Sequence, residues 1–443
     1  MKRKQYIFWL SIFLIFIAAN GINAQTLSVE ENPGDSLSLD WIIQDVVLNH
    51  PAVQAAQEGL NQAAAKIGLA KSGYYPNINL IAGATSVGPV PSLDIPDIGS
   101  FSLFPRNNFT GELNVRQNVY DFGKTDRNVV LANEGKTLVE KSIEKVKQQM
   151  ALTAIRTYFA LDYLQEAVKI KKEQLKTLKE HLGFVQKKKE TGSATEYEIL
   201  STRVRISGVE TQELDLEAMR DVQLAVLNAL LGLPANTFHT VKSDEKVEKP
   251  TVTGDALITD AFQKRDEMQL AKEKTGMANL HLEVVKGQNK PSLNLIANGG
   301  WKNGYIPEIN KIRPNFVVGL NLNVPLFDAT RTKYQLMEAQ SSVETSMLET
   351  EITKRQISGE VVKNETNIAA SAKKVKQANL QLEQAKEALS LAQVSYKTGA
   401  ITNLDLLDAA TAVSESRLML LRSKIDYAVN VYQLKASIGE RLY

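Results

Sequence analysis

Residues 190–195 read Glu-Thr-Gly-Ser-Ala-Thr, and residues 397–402, which lie 207 positions later, read Lys-Thr-Gly-Ala-Ile-Thr. The residues that follow keep the same spacing, because Ile199-Leu200 corresponds to Leu406-Leu407. A match that keeps register over whole elements indicates a duplicated structural unit. The sequence therefore predicts two repeats built on one plan. Further pairs at this spacing are Val168 and Val375, Leu175 and Leu382, Leu182 and Leu389, Tyr120-Asp121 and Phe327-Asp328, and Gly232 and Gly439.

Upstream of these positions the offset between equivalent residues of the two repeats is larger. Residues 75–82 parallel residues 290–297, which are 215 positions apart, so the first repeat carries eight additional residues between its landmarks. Length differences between repeats are usually accommodated in loops. We therefore expect a longer loop in the first repeat.

The longest uninterrupted pattern runs from Thr125 to Lys189, which contains no proline and only two glycines. Its apolar residues recur at intervals of three, four and seven, which is the spacing of a coiled coil. At about 1.5 Å per residue, the predicted helix is on the order of 95 Å long. Residues 330–397 repeat the pattern, with Val375, Leu382, Leu389 and Tyr396 seven apart.

Each long helix is predicted to turn at its Thr-Gly segment and to return as a second helix over 195–231 or 402–438, with Thr195 and Thr402 as N-caps. Each repeat is thus a long helical hairpin. One further helix is predicted before each hairpin, over 39–72 and 254–288, ending near Pro76 and Pro291.

Beyond these prolines the apolar period changes from 3.6 to 2. Residues 108–120 and 315–324 alternate apolar and polar side chains, and the segments after Pro76 and Pro291 behave similarly. Segments of about ten alternating residues fit the strands of a transmembrane barrel, and an ordinary soluble sheet on a helical core is the alternative. Aromatic residues available for the membrane interfaces are Tyr74, Tyr75, Phe101, Phe104, Tyr120, Trp301, Tyr305 and Phe327.

Four strands cannot close a barrel in lipid, so the chain is expected to oligomerise. Two copies would give eight strands and a barrel filled by its own side chains, whereas three would give twelve and leave a lumen. If the barrel conducts, we therefore expect a homotrimer embedded in lipid. The fold class is mainly α with a small β part, comprising long coiled-coil hairpins and four transmembrane strands per chain.

The N-terminal segment has the features of a cleavable signal peptide. Lys2, Arg3 and Lys4 precede an apolar run that ends at Ala24. Removal of residues 1–24 takes away three basic residues and changes the formal charge from +2 to −1, which argues against a nucleic-acid partner. The remaining organisation is an extended lead-in over 25–38, a first repeat over 39–232, a connector over 233–253 and a second repeat over 254–443.

Enzyme chemistry finds no support in the motifs. The chain has no cysteine, and its four histidines, His50, His181, His239 and His281, lack metal-ligand spacing. No HExxH motif, phosphate-binding loop or nucleophile elbow is present. We therefore predict neither a catalytic site nor a cofactor or metal site.

Over essentially the whole mature sequence, the chain resembles the TolC-like outer-membrane efflux proteins. The residues that carry the resemblance are the duplicated strand–helix–turn–helix plan, the segment Tyr120-Asp121-Phe122-Gly123, and residues 396–399 followed by Asp405-Leu406-Leu407-Asp408-Ala409. The resemblance implies a trimeric, twelve-stranded barrel in the outer membrane of a Gram-negative bacterium, continued by a helical tunnel in the periplasm. It also implies a passive duct for efflux or type I-like secretion, which is gated at its periplasmic tip. That end would dock a periplasmic adaptor and, through it, an inner-membrane pump.

The same resemblance assigns roles to residues at the two Thr-Gly turns. Asp405 and Asp408 match the family's paired acidic positions at a cation-selective constriction, and Tyr396 matches a tyrosine that holds the tip closed. The alternative for the aspartates is simple complementation of the helix dipole. The turns themselves match the adaptor-docking tip, with residues Thr191, Gly192, Ser193, Ala194, Thr398, Gly399, Ala400 and Ile401.

One position departs from the family pattern. Members can carry a basic residue two positions after the second glycine as part of a closing polar link, and here that position is Ile401. A hydrophobic contact, or a constriction at the aspartates alone, is expected in its place. The alternative function is a non-conducting periplasmic coiled-coil adaptor or scaffold, which would need no lipid-facing strands.

Overall fold

The computed structural model describes residues 36–97, 99–242 and 254–443. The predicted signal peptide, most of the lead-in and the second part of the connector lie outside the described residues. At the borders of these segments, β1 (Ser36–Leu37) pairs in parallel with β6 (Thr240–Val241). The end of the lead-in is thereby joined to the connector, and Leu37 and Val241 are both buried in one apolar core.

The helix that precedes each hairpin is interrupted, so the prediction of a single helix was wrong in both repeats. The first consists of α1 (Leu39–Asn49) and α2 (Pro51–Lys71), and His50 between them has extended dihedrals of φ −66° and ψ 132°. Proline at position 51 causes this break, because it cannot donate a backbone hydrogen bond and it disfavours helical dihedrals at the preceding residue.

The second repeat breaks at the equivalent place without a proline. Here α5 (Asp255–Lys264) and α6 (Asp266–Gly287) flank Arg265, whose dihedrals are φ −67° and ψ 134°. The Arg265 side chain is buried and pairs with Glu267 at 3.1 Å and Glu360 at 2.6 Å. These contacts stabilise the extended residue through its side chain.

The long helices have almost the predicted bounds. They are α3 (Lys124–Glu190) and α7 (Arg331–Lys397), each of 67 residues, and they return as α4 (Glu196–Leu231) and α8 (Asn403–Ser437). Thr195 and Thr402 are confirmed as N-caps, and each forms a reciprocal capping box with the residue three positions later.

The helices form a layer of four columns. α3 and α7 run the full length, whereas the other two columns are each made of two helices in succession: α2 and α4 lie along α3, and α6 and α8 lie between α3 and α7. The column of α6 and α8 thus contacts a long helix on both sides. The column of α2 and α4 and the helix α7 are the two outer edges of the layer.

Four long strands form an antiparallel sheet at one end of the helices. They are β2 (Asn77–Ser86), β5 (Asn107–Tyr120), β7 (Ser292–Lys302) and β8 (Arg313–Asn323), in the order β2-β5-β7-β8. The expected longer loop of the first repeat is confirmed, since the short hairpin of β3 (Ser92–Ile95) and β4 (Gly99–Ser102) lies between β2 and β5. The corresponding connection between β7 and β8 contains no strand.

The register of the sheet separates apolar from polar side chains, as the alternation predicted. Leu80 pairs with Leu113, and Leu295 pairs with Leu320, so these residues lie on one face. This apolar face is uncovered, with Phe316 81% exposed. The opposite face carries many asparagines, which include Asn79, Asn114, Asn294, Asn298, Asn315 and Asn321.

The turn that connects the sheet to each long helix contains an aspartate that caps the helix. Asp121 accepts hydrogen bonds from the backbone N–H groups of Lys124 (3.0 Å) and Thr125 (2.9 Å), and Asp328 accepts one from the backbone of Thr332 at 2.9 Å. These bonds satisfy the free amides at the start of α3 and α7. The Tyr120-Asp121-Phe122-Gly123 segment is therefore the turn that orients the helices under the sheet.

The main core lies at the middle of the helical layer. There Leu39, Ile42 and Val46 of α1 pack against Ile155 and Tyr158 of α3. Among the described helices, none combines the length and apolar composition needed to cross a membrane.

We expect substitution of Gly300 by alanine to destabilise the sheet. A Cβ atom on Gly300 would lie 2.1 Å from the Gly111 carbonyl oxygen, so β5 and β7 would have to separate, at a cost of about 1–3 kcal/mol. Thermal unfolding in detergent, followed by circular dichroism, measures this loss. Gly299→Ala is the matched control, because a Cβ there meets nothing within 4 Å; equal stability of the two variants would contradict the prediction.

Candidate functional site

The two Thr-Gly turns lie at the end of the hairpins away from the sheet. Gly192 and Gly399 have φ values of 75° and 79°, a left-handed conformation that favours glycine. The next residue in each turn closes the helix, since Ser193 N–H donates to the Lys188 carbonyl and Ala400 N–H donates to the Ser395 carbonyl, both at 2.8 Å. The turn residues are exposed, except that Ala194 and Ile401 are half-buried.

Tyr396 joins the two hairpins instead of lying on the surface of one. It is 5% exposed, and its hydroxyl donates a hydrogen bond of 2.8 Å to Glu198 on α4. Burial, together with this carboxylate, raises the pKa of Tyr396 well above its ordinary value. The phenol therefore stays protonated, and the bond stays intact, at pH values where a free tyrosine ionises. Lys188 Nζ lies 4.5 Å from the centre of the ring.

Asn403 is a second connection, which the sequence analysis missed. It is 4% exposed in the first turn of α8, and its amide donates to Thr202 Oγ1 on α4 at 3.1 Å. Its Oδ1 lies 2.6 Å from Nε2 of His181 on α3, so this nitrogen carries the hydrogen. One side chain thus connects three helices. In the first repeat its place is taken by Glu196, so the repeat pattern gave no signal for a buried amide.

Asp405 is exposed, but its carboxylate is occupied. It accepts hydrogen bonds from Thr402 Oγ1 at 2.7 Å and from the Thr402 backbone N–H at 2.9 Å. These bonds lower the pKa of Asp405. Because the folded-state pKa is depressed, the cap stabilises the helix above the ordinary pKa of an aspartate and is lost as the pH falls through the lower value.

Asp408 lies one turn further along α8 and is also exposed. Its Oδ1 is 2.5 Å from a terminal guanidinium nitrogen of Arg205 on α4. The predicted pair of acidic residues therefore does not consist of two free carboxylates. Arg205 was missed as well, because residues 203 positions apart meet only when the two hairpins pack.

Apolar packing continues immediately behind these polar contacts. Leu407 packs with Leu175 and Leu178 of α3 and with Ile206 and Val209 of α4. A cavity of about 390 Å³ opens beside this cluster. It is lined by residues of α3, α7 and α8 that include Phe184, Tyr396 and Leu406.

The tip is thus a set of polar links between two packed hairpins. Within the described residues, no group of three or more His, Asp and Glu side chains is arranged to hold a metal ion. The links at Tyr396, Asn403 and Asp408 all cross from the second hairpin to the first. A polar connection therefore exists although Ile401 stands where members of the TolC-like family can carry a basic residue.

Comparison with known proteins decides the family. The profile of the outer membrane efflux protein family matches residues 42–233 and 257–440, which are the two repeats. The chain belongs to the outer membrane efflux protein family. It is an efflux or secretion channel of the Gram-negative outer membrane and not an enzyme, as the resemblance to TolC-like proteins implied.

Relatives of this efflux protein are distant in sequence and close in fold. It is 22% identical over 405 residues to the outer membrane protein TolC of Vibrio cholerae, covering 88% of each chain. It is 21% identical to the probable efflux pump outer membrane protein TtgC of Pseudomonas putida, covering 92% of this chain and 84% of that one. The crystal structure of the Campylobacter jejuni CmeC outer membrane channel superposes with a TM-score of 0.76 at 18% identity, covering 93% and 90% of the two chains.

We expect Asn403→Ala to loosen the tip of this efflux protein. The substitution removes the acceptor of the half-buried His181 and one donor to the buried Thr202, whose hydroxyl keeps its bond to the Glu198 carbonyl. The loss of hydrogen bonds at a buried polar group costs about 1–3 kcal/mol. Amide hydrogen exchange over residues 195–210 should become about tenfold faster or more. Asn379→Ala is the control, since Asn379 is exposed and bonds only within α7, to Glu383; the same acceleration in both variants would refute the role of Asn403.

Proposed function

We propose that three copies of this efflux protein form one channel-tunnel, which passes substrates outward from an inner-membrane pump and a periplasmic adaptor. The observation that carries the proposal is that both layers of the chain end in complementary open edges. β2 and β8 each pair on one side only within the described residues, and the helical layer ends at α7 on one side and at α2 and α4 on the other.

The equivalence of the two repeats suggests how these edges would meet in an assembly. Inside the chain, α6 and α8 of the second repeat fill the space between α3 and α7. Because α2 and α4 are the equivalent helices of the first repeat, they would fill the same space beside α7 of a neighbouring copy. Such a contact is heterologous, and heterologous contacts close into a ring when the rotation permits.

Apolar side chains on the helical edges support the same contact. On α4, Tyr197, Leu200 and Val204 are exposed at intervals of three and four, and so are Met219, Val222 and Val226. Exposed apolar residues of α7 include Tyr334, Met337, Leu348, Ile352, Leu391 and Val394. Contiguous apolar surface of this kind commonly marks a protein interface.

Three copies would supply twelve strands. Closure of the sheet would satisfy the backbone groups of β2 and β8, which an open edge in lipid would leave unpaired. The uncovered apolar face, with Leu80 76% exposed, would then face lipid, and the asparagine-rich face would line the lumen. This surface favours the duct over a non-conducting adaptor, which has no use for it.

The tip is where we propose that the tunnel closes. Tyr396 and Asn403 hold the two hairpins of one chain together, and Asp405 and Asp408 would form the constriction. The exposed turns around Gly192 and Gly399 are the proposed docking sites for the adaptor. The Arg205–Asp408 pair is accessible to water and is therefore weak on its own, which suits a gate that an adaptor opens without unfolding the helices.

A planar bilayer recording tests the channel and its constriction. We expect the detergent-purified mature protein to conduct, and we expect Mg²⁺ to block it from one side. Asp405→Asn with Asp408→Asn should weaken the block about tenfold or more and leave assembly intact, because carboxylates at a constriction attract cations. The control, Asp215→Asn with Asp221→Asn, removes the same charge from α4 elsewhere. Unchanged Mg²⁺ block in the Asp405→Asn, Asp408→Asn variant would refute the gate assignment. Absence of conductance in the wild-type protein would favour the adaptor alternative.

The trimer is tested by Val222→Glu with Val226→Glu. Two carboxylates on the exposed stripe of α4 would have to be buried against α7 of the next copy, which is unfavourable without partners. Light scattering after size exclusion in detergent should show the mass of three chains for the wild type and of one for the variant. Leu48→Glu, on the exposed surface of α1, is the control. A three-chain mass in the double variant would exclude this interface.

A further inference from the structure

Arg205 is the one basic side chain that contacts the proposed constriction within the described residues. It projects from α4 of the first hairpin to Asp408 on α8 of the second, and the Nη2–Oδ1 distance is 2.5 Å. The Arg205 side chain is 33% exposed and that of Asp408 is 60% exposed, so the pair lies at a water-accessible surface. Water-accessible ion pairs are readily broken and are sensitive to salt.

The pair changes the charge of the tip. Asp405 and Asp408 alone contribute two negative charges per chain, whereas Arg205 compensates one of them. A ring of three chains would therefore carry a net charge of −3 at this level and not −6. The carboxylate that remains uncompensated by a cation is that of Asp405, whose hydrogen bonds come from the neutral Thr402.

We propose that Arg205 is the charge-compensating latch of this constriction. In the closed tip it ties α8 to α4 and masks Asp408. When the hairpins separate, the pair breaks and the Asp408 carboxylate is released into the pore. The opened constriction then selects cations more strongly than the closed one. This inference rests on the proposed gate and assigns it a further selectivity-determining residue.

A second ion pair between the hairpins is the control for the proposed role of Arg205. Arg417 on α8 pairs with Glu173 on α3 at 2.5 Å, which is also a link between the hairpins. Arg417 follows Asp408 by nine residues and lies about 13 Å further from the tip along α8. Loss of the Arg417 pair should weaken the packing of the hairpins without changing the charge at the constriction.

The test records single channels of the full-length mature protein in planar bilayers with K⁺, Cl⁻ and Mg²⁺ as probes. Arg205→Gln and Asp408→Asn should each raise the conductance about twofold or more, because each breaks the latch. Their effects on the K⁺/Cl⁻ permeability ratio should be opposite, with a rise for Arg205→Gln and a fall for Asp408→Asn. Block by Mg²⁺ should strengthen about fivefold in Arg205→Gln, as expected for one unmasked charge in water.

Combined variants show whether the two side chains act as a pair. The double variant Arg205→Gln with Asp408→Asn should conduct no more than the more conductive single variant, because a pair can be broken only once. Arg205→Lys should restore much of the closed state. Arg417→Gln should leave conductance and ion selectivity at the wild-type values.

A separate measurement needs no variant that could misfold. In the wild type, the fraction of time spent in the open state should rise with KCl concentration, since salt screens the exposed pair. The inference is overturned if this fraction is independent of salt, if Arg205→Gln behaves as the wild type, or if Arg417→Gln reproduces its effect. In each of these cases the double variant Asp405→Asn with Asp408→Asn decides which hypothesis fails. If that variant leaves Mg²⁺ block unchanged, the proposed gate is wrong. If it weakens Mg²⁺ block, the gate stands and only the role of Arg205 is wrong.

Discussion

The open backbone edges of β2 and β8 are the constraint on which the rest of the structure depends. An unpaired strand edge is costly in lipid, where no water replaces the missing hydrogen bonds. In the proposed assembly the two outer strands would pair with neighbouring copies, and the helices below them carry exposed apolar side chains on α4 and α7. Because one copy leaves both layers open at two sides, the proposed membrane insertion and the proposed tunnel assembly would meet a single requirement.

The regular elements could be predicted from the sequence because they depend on local patterns. Seven-residue spacing defined α3 and α7 to within about one residue, alternation defined the strands, and Thr195 and Thr402 marked the returning helices. The break between α1 and α2 at His50 was not predicted, although a proline at position 51 favours it. The break at Arg265 has no local signal, since it depends on contacts with Glu360, 95 residues away.

The details of the candidate site were less predictable. Tyr396, Asp405 and Asp408 could be named from the resemblance, whereas Glu198, Asn403 and Arg205 could not. Their contacts join residues about 200 positions apart, and they depend on the rotation of one hairpin against the other. A coiled-coil pattern specifies which residues face the partner helix, but it does not specify which polar side chains meet at the ends.

The two kinds of helical column have different mechanical properties. α3 and α7 are continuous over 67 residues, whereas each neighbouring column is divided between two separate helices. Because the two helices of a divided column are not continuous, a displacement of one is not transmitted to the other through a helical backbone. In the proposed tunnel, a displacement of the turns would therefore be taken up largely by the divided columns and would not have to move the strands. The proposed barrel could then keep a constant circumference while the opposite end of the tunnel changes diameter.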